Sequence, residues 1–135
     1  MARGGTEKLA ALRSVPIFAG LSDDSLERIA AVASEVEFPQ NQVVIESGMP
    51  GSGMFVILEG RVSVHARGVD TELGPGEVIG EVALLRSDST RIARVQALTD
   101  VQCLAVDRAG FRELVVADGQ LALALLENLA ERIPS

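Results

Sequence analysis

The sequence predicts an α+β fold: an antiparallel β-sandwich or barrel with helices at both ends, in one domain. Two patterns carry this. Between Glu35 and Val106, short runs rich in Val, Ile and Phe recur between glycine-bearing turns, the spacing of a small all-β layer. On either side of that layer the apolar residues return at helical spacing instead. At 135 residues the chain is long enough to bury a core without staples. It is 47% apolar with only four aromatic residues, so that core must be aliphatic.

The N-terminal region, residues 6–34, reads as helical. Thr6 to Leu12 carries Leu9 and Leu12 on one face, Val15-Pro16 breaks the pattern, and Ile17-Phe18-Ala19-Gly20-Leu21 follows. Ser22 is placed as an N-cap with Asp23 and Asp24 in the first turn, where the helix dipole favours them. Leu21 and Leu26 stand at the two positions of a hydrophobic staple, and Leu26, Ile29, Ala30 and Ala33 extend one apolar face, predicting a helix from Asp23 to Ser34. Residues 35–106 form the β layer. The expected strands are Val36 to Phe38, Val43 to Glu46, Met54 to Leu58, Val62 to His65, Thr71 to Leu73, Ile92 to Ala97 and Val101 to Val106. Turns fall at Gly48 to Gly53, Glu59-Gly60 and Arg67-Gly68. Residues 107–133 return to helix. Asp107 caps a segment with Phe111, Leu114 and Val115, and Asp118 or Gly119 opens a last helix, LALALLENLAERI. That helix is apolar on most sides in its first half, so it must lie against its own barrel, a second copy or a further domain.

Composition excludes several functions. A net charge of −7, almost no lysine and no basic stripe argue against a nucleic-acid or membrane surface. Cys103 is alone inside an apolar run and reads as a small buried hydrophobe, while His65 near a strand end reads as an edge residue. Without a Cys or His cluster a zinc or iron–sulfur site has no ligands, so no metal or cofactor is expected. The acidic pair Asp23-Asp24 is accounted for by the helix cap. No signal peptide or long apolar run is present, and the expected location is the cytoplasm.

One stretch interrupts the strands. Residues 75–95, PGEVIGEVALLRSDSTRIARV, hold a Pro-Gly turn, Gly80, Glu81, the one-turn apolar run Val82-Ala83-Leu84-Leu85, and then Arg91 followed by Ile92-Ala93. A long non-strand insertion that returns into a sheet is uncommon without a function. Glycine before a short helix lets backbone N–H groups approach an anion, and an arginine adds a planar, permanently charged fork that holds two phosphate oxygens. Glu81 is out of place at a purely anionic site and calls for a donor such as a ribose hydroxyl. The plain alternative is that Glu81 and Arg91 pair with each other across the loop.

Gly80-Glu81-Val82-Ala83-Leu84-Leu85 followed by Arg91-Ile92-Ala93 resembles the phosphate-binding cassette of the cyclic nucleotide-binding domain family. The spacing from Glu81 to Arg91 is similar to that of its bacterial catabolite-activator branch. The glycine-rich stretch Gly48 to Gly60 resembles the family's second recurrent segment. The resemblance covers roughly residues 10–130 and implies a jelly-roll (double-stranded β-helix) barrel. It assigns the ribose 2′-hydroxyl to Glu81 and the cyclic phosphate to Arg91. Gly80, Val82, Ala83, Ile92 and Ala93 surround the ligand, with backbone N–H contacts around Ala83 and Ile92. It makes Leu84 and Phe111 the cassette-to-hinge contacts and the last helix a lid over the purine. Thr90 stands where many members have proline, and Arg94 where Thr or Ser is common. Ile92 replaces a Ser or Thr found in some members, which points to cyclic AMP, with cyclic GMP second.

The expected function is therefore a sensor without enzymatic turnover that binds a 3′,5′-cyclic nucleotide and signals through its last helix to a partner, an effector domain or a second copy. A catabolite activator continues that helix into a coiled coil and a helix-turn-helix. With Pro134-Ser135 as its last residues, this sequence is expected to bind no nucleic acid by itself. The alternative is a structural domain that keeps the barrel and dimerises through the Leu-rich helix. An enzyme is disfavoured, because hydrolysis of the cyclic phosphate calls for a metal site or a base with a positioned water.

Overall fold

The computed structural model describes residues 5–86, 90–131 and 133. Residues 87–89 of the predicted cassette and residue 132 of the predicted C-terminal segment lie outside them. The described chain has two four-stranded antiparallel sheets. The first has the order β1 (Ala33–Phe38), β8 (Val101–Asp107), β3 (Gly53–Glu59), β6 (Val78–Ile79). The second has the order β2 (Val43–Ile45), β7 (Arg94–Ala97), β4 (Val62–Ala66), β5 (Val69–Leu73). The sheets stay open rather than closing into one barrel, and the jelly-roll arrangement follows from the chain crossing repeatedly between them, with β4 and β5 a hairpin within the second sheet.

The sequence pattern of the central strands explains the layering. On β3, Met54 and Val56 face a helical layer while Ile57 faces the second sheet; on β8, Leu104 and Val106 face the helices while Val101 and Cys103 face the sheet. Both faces are covered, which is why these strands read as unbroken apolar runs. The second sheet is covered on one side only. Val62, Val95 and Ala97 point into the inter-sheet core, and the alternating positions His65 and Arg94 are exposed. Cys103 is buried there, and burial pushes its thiol from 9.0 up to about 12. His65 sits on the β4–β5 hairpin with Nδ1 2.5 Å from Asp70 Oδ1.

The helical layer joins both ends of the chain. It comprises α1 (Gly5–Arg13), a 3₁₀ turn (Pro16–Phe18), α2 (Asp23–Ala31), α4 (Arg108–Ala117) and α5 (Gly119–Glu131), with the one-turn α3 (Val82–Leu85) beside β3. Ser22 caps α2, its Oγ accepting from Ser25 N–H at 3.2 Å, and Leu21 and Leu26 are both buried. The helix ends three residues before the predicted Ser34. Ala33 to Phe38 pair residue for residue with β8, and that ladder overrides the helical spacing of Ala33. Asp107 occupies the N-cap of α4 without a side-chain cap bond, whereas Asp118 Oδ1 accepts from Leu121 N–H at 3.1 Å and so starts α5.

The apolar face of α5 is covered by the chain's own N-terminal helices. Leu121 and Leu125 are buried in the cluster that holds Ile17, Phe18 and Phe111, with the Phe18 and Phe111 rings 5.8 Å apart. The Asn128 amide donates to Ile17 O at 3.2 Å and also to Ala19 O, fixing α5 to the 3₁₀ turn. Arg28 of α2 pairs with Asp118 at the α4–α5 bend. In this arrangement α5 rests on the helical layer and contributes nothing to the lining of the cassette cavity, whereas the resemblance implies a lid. No helix among the described residues is long and apolar enough to cross a membrane.

Candidate functional site

The site lies where the chain crosses from one sheet to the other. β6 leaves the first sheet after Ile79, which pairs with Phe55, and β7 enters the second at Arg94, which pairs with His65. Gly80, α3 and the segment 90–93 span the gap. The return segment is held by the loop before β3. Gly48 N–H donates to Arg91 O at 2.8 Å, Arg91 N–H donates to Met49 O at 2.8 Å, and Pro50 bridges to Thr90. The backbone of Arg91 is therefore fixed before its side chain does anything.

The guanidinium of Arg91 turns inward. Nη2 donates to Gly53 O at 2.8 Å, and Nη1 makes a long contact of 3.5 Å to Gly80 O. Among the described residues, carbonyls hold this cation and no carboxylate does. Burial pulls its pKa below the ordinary arginine value, the direction expected when a charge leaves water without an opposite charge to meet it. Gly80 makes the approach possible, since its φ is +76° and a Cβ there would lie 2.1 Å from Nη1. Gly51 does the same on the far side, where a Cβ would fall 2.7 Å from the Ala83 Cβ.

Glu81 occupies the N-cap position of α3 but makes no cap bond with its side chain. Its Oε2 is the buried side-chain polar atom without a hydrogen-bond partner among the described residues. Such an atom is costly unless something donates to it. The simple alternative, a Glu81–Arg91 ion pair, is not what the structure has. Glu81 and Arg91 instead both line one cavity of about 320 Å³, Arg91 half-buried and Glu81 with its Oε2 buried and unpartnered among the described residues. That size falls within the range of small-molecule sites, about 300–1,000 Å³. Its walls are Ile45, Val78 to Val82, Thr90 to Ala93 and Val95, so the polar pair sits in an aliphatic setting.

The structure brings together Gly80, Glu81, Val82, Arg91, Ile92 and Ala93 around that cavity. Val82 and Ile92 are exposed at its mouth, 56% and 63% respectively. Ala83 is buried beneath it, and its N–H donates to Gly80 O at 3.1 Å, so this amide, which the resemblance aims at a phosphate, is engaged within the cassette. Leu84 and Phe111 are buried in the same apolar cluster, joining α3 to α4. Arg94 points outward, 3.6 Å from Glu46. Reading the sequence alone overlooks Gly53, whose carbonyl anchors Arg91, and Ile45, Ile79 and Val95, which form the apolar floor. The repeated glycines of Gly51-Ser52-Gly53 are the signal, because close backbone approach needs them. A wider groove of about 750 Å³ along Asp107 to Val116 holds no orphaned buried polar group among the described residues.

Comparison with known proteins supplies the context. Residues 35–118 match the family model of the cyclic nucleotide-binding domain. The chain is 34% identical over 113 residues to a cGMP-dependent protein kinase of Drosophila melanogaster, a match covering 77% of this chain and 12% of the kinase. It is 25% identical over 123 residues to the CRP-like cAMP-activated global transcriptional regulator of Mycobacterium tuberculosis, covering 87% of this chain and 54% of the regulator. The chain thus spans well under two thirds of either relative. Among solved structures, the N-terminal domain of a transcriptional regulator from Streptomyces coelicolor superposes with a TM-score of 0.80 at 33% identity, covering 90% of this chain and 89% of that one.

Proposed function

The chain belongs to the cyclic nucleotide-binding domain family, and on that premise we propose that it is a non-catalytic sensor for a 3′,5′-cyclic nucleotide, preferentially cyclic AMP. One observation carries the proposal: Arg91, which meets no carboxylate among the described residues, and Glu81, whose buried Oε2 has no donor among them, line one small aliphatic cavity. A cyclic phosphate beside a ribose 2′-hydroxyl satisfies both at once. The phosphate takes the Arg91 fork and the hydroxyl donates to Glu81. Val82, Ile92 and Ala93 flank the sugar and base, and Gly80 lets the ligand and guanidinium approach the backbone. The preference for cyclic AMP rests on Ile92, which offers no hydroxyl to a guanine amino group at the cavity mouth. The two relatives each carry a different nucleotide in their names, so they do not favour either.

Output is a population shift. In the present arrangement Asn128 and the Arg28–Asp118 pair hold α5 on the helical layer. Ligand favours a second arrangement in which α5 packs over the cassette, coupled through Leu84 and Phe111. Leu123 and Leu126 are exposed on α5 and suit contact with an effector domain or a second copy.

The test is a calorimetric titration of nucleotide-free protein with cyclic AMP and then cyclic GMP, with Arg91→Ala as control. Losing one partner of a buried charge pair costs about 2–5 kcal/mol, so the variant binds roughly thirtyfold more weakly or worse. Equal binding by parent and variant refutes the assignment.

A further inference from the structure

Arg108 ties the first turn of α4 to the back of the cassette. Its backbone N–H donates to Ser52 O at 2.7 Å. Its Nη1 lies within hydrogen-bond reach of three carbonyls, Gly51 O at 2.8 Å, Arg86 O at 3.3 Å and Ala83 O at 3.4 Å. Ala83 lies in α3 and Arg86 is its C-cap, where carbonyls have no intrahelical donor. Nη1 carries two N–H groups held in the guanidinium plane, so the nearest acceptor, Gly51 O, and the pair Ala83 O and Arg86 O share them. Arg91 grips the same loop from the cavity side through Gly53 O at 2.8 Å. Residues 51–53 are thus held between two guanidinium groups. There is little slack in that sandwich, since a Cβ on Gly51 would meet both the Ala83 Cβ at 2.7 Å and the Arg91 guanidinium at 3.1 Å.

We infer that Arg108 is the positioning residue through which the state of the Arg91 site reaches α4 and then α5, an inference that rests on the sensor reading above. Arg108 does not line the cavity. When Arg91 turns its fork to a phosphate, the donor on Gly53 O is relaxed and the loop readjusts. The carbonyls of Gly51, Ala83 and Arg86 move with it, and they hold the base of α4. Leu84 and Phe111 supply the apolar packing between the same elements, and the directed N–H···O contacts of Arg108 fix the orientation in which that packing is made.

Hydrogen exchange by mass spectrometry on the whole chain, with and without cyclic AMP, tests this in the parent, Arg108→Gln and Arg108→Lys, alongside calorimetric affinities. Without nucleotide, Arg108→Gln should exchange about tenfold faster in both 82–86 and 107–112, because one side chain closes both. With nucleotide it should bind within about fivefold of the parent, yet lose the ligand-induced change over 119–131, which Arg108→Lys restores in part. The inference is overturned if Arg108→Gln shows the parent's ligand-induced change. It is also overturned if faster exchange stays confined to α4, or if binding is abolished, which would make Arg108 a support of the pocket. A parent that binds neither cyclic nucleotide refutes the sensor reading instead, and the nucleotide-free comparison then decides the mechanical tie by itself.

Discussion

Replacing Gly80 by alanine sets a methyl group 2.1 Å from Arg91 Nη1, at a residue whose φ is +76°. Two costs follow, and they appear in different measurements. The left-handed backbone costs an L-residue about 1–2 kcal/mol, which lowers the melting temperature by several degrees. The clash is with the end of a flexible side chain, so the fold survives it, but the guanidinium is driven from its resting place beside Gly80, from which it would reach a phosphate. Loss of one hydrogen bond to a charged group is about 1.5–3 kcal/mol, which weakens nucleotide binding about ten- to hundredfold. Gly76→Ala is the internal control. Its φ is +87°, and nothing lies within 4 Å of the added Cβ, so it carries the backbone cost without the clash. Thermal melts and calorimetric titrations of both variants separate the terms. If Gly80→Ala melts early but binds cyclic AMP as tightly as Gly76→Ala, Arg91 is not the phosphate ligand and the site assignment fails.

Two further predictions come from residues outside the cavity. Asn128→Ala removes the amide that fixes α5 to the 3₁₀ turn, and with about 1 kcal/mol less holding the resting arrangement, cyclic AMP should bind about fivefold more tightly; unchanged or weaker binding in a titration contradicts the population shift. Cys103 should resist thiol reagents at pH 8 until the chain unfolds. Its folded pKa is raised from 9.0 to about 12, so the unfolded chain releases the proton first. That contribution to stability is complete below about pH 9 and is lost as pH rises towards 12. Denaturant melts over that range should fall more steeply for the parent than for Cys103→Ala; parallel curves would contradict the burial argument.

Much of this was legible because the relevant signals are local. The Ser22 cap, the Leu21–Leu26 staple and the unbroken apolar runs of β3 and β8 each follow from a few neighbouring residues and one physical rule. That Gly80, Glu81 and Arg91 come together around a one-turn helix was legible from their spacing, whereas the absence of the Glu81–Arg91 pair that the residues alone allow was not. What escaped depends on distant pairing. Ala33 joins a strand because β8 lies opposite, and β6 is too short to show a period at all. The role of the Gly53 carbonyl needs a residue 38 positions away to turn back on it. The rest of α5 against the N-terminal helices was hidden for the same reason, because Asn128 reads as an ordinary polar residue until Ile17 and Ala19 are beside it.

The central claim is that Glu81 and Arg91 wait for two parts of one ligand, and the most direct measurement is a cycle crossing Glu81→Ala with removal of the ribose hydroxyl. Parent and variant are each titrated with cyclic AMP and with its 2′-deoxy analogue. The account predicts that the parent loses about 1.5–3 kcal/mol with the analogue, that the variant loses nearly nothing, and that both species still depend on Arg91. Equal losses in parent and variant would show that the hydroxyl does not meet Glu81, and would contradict the account.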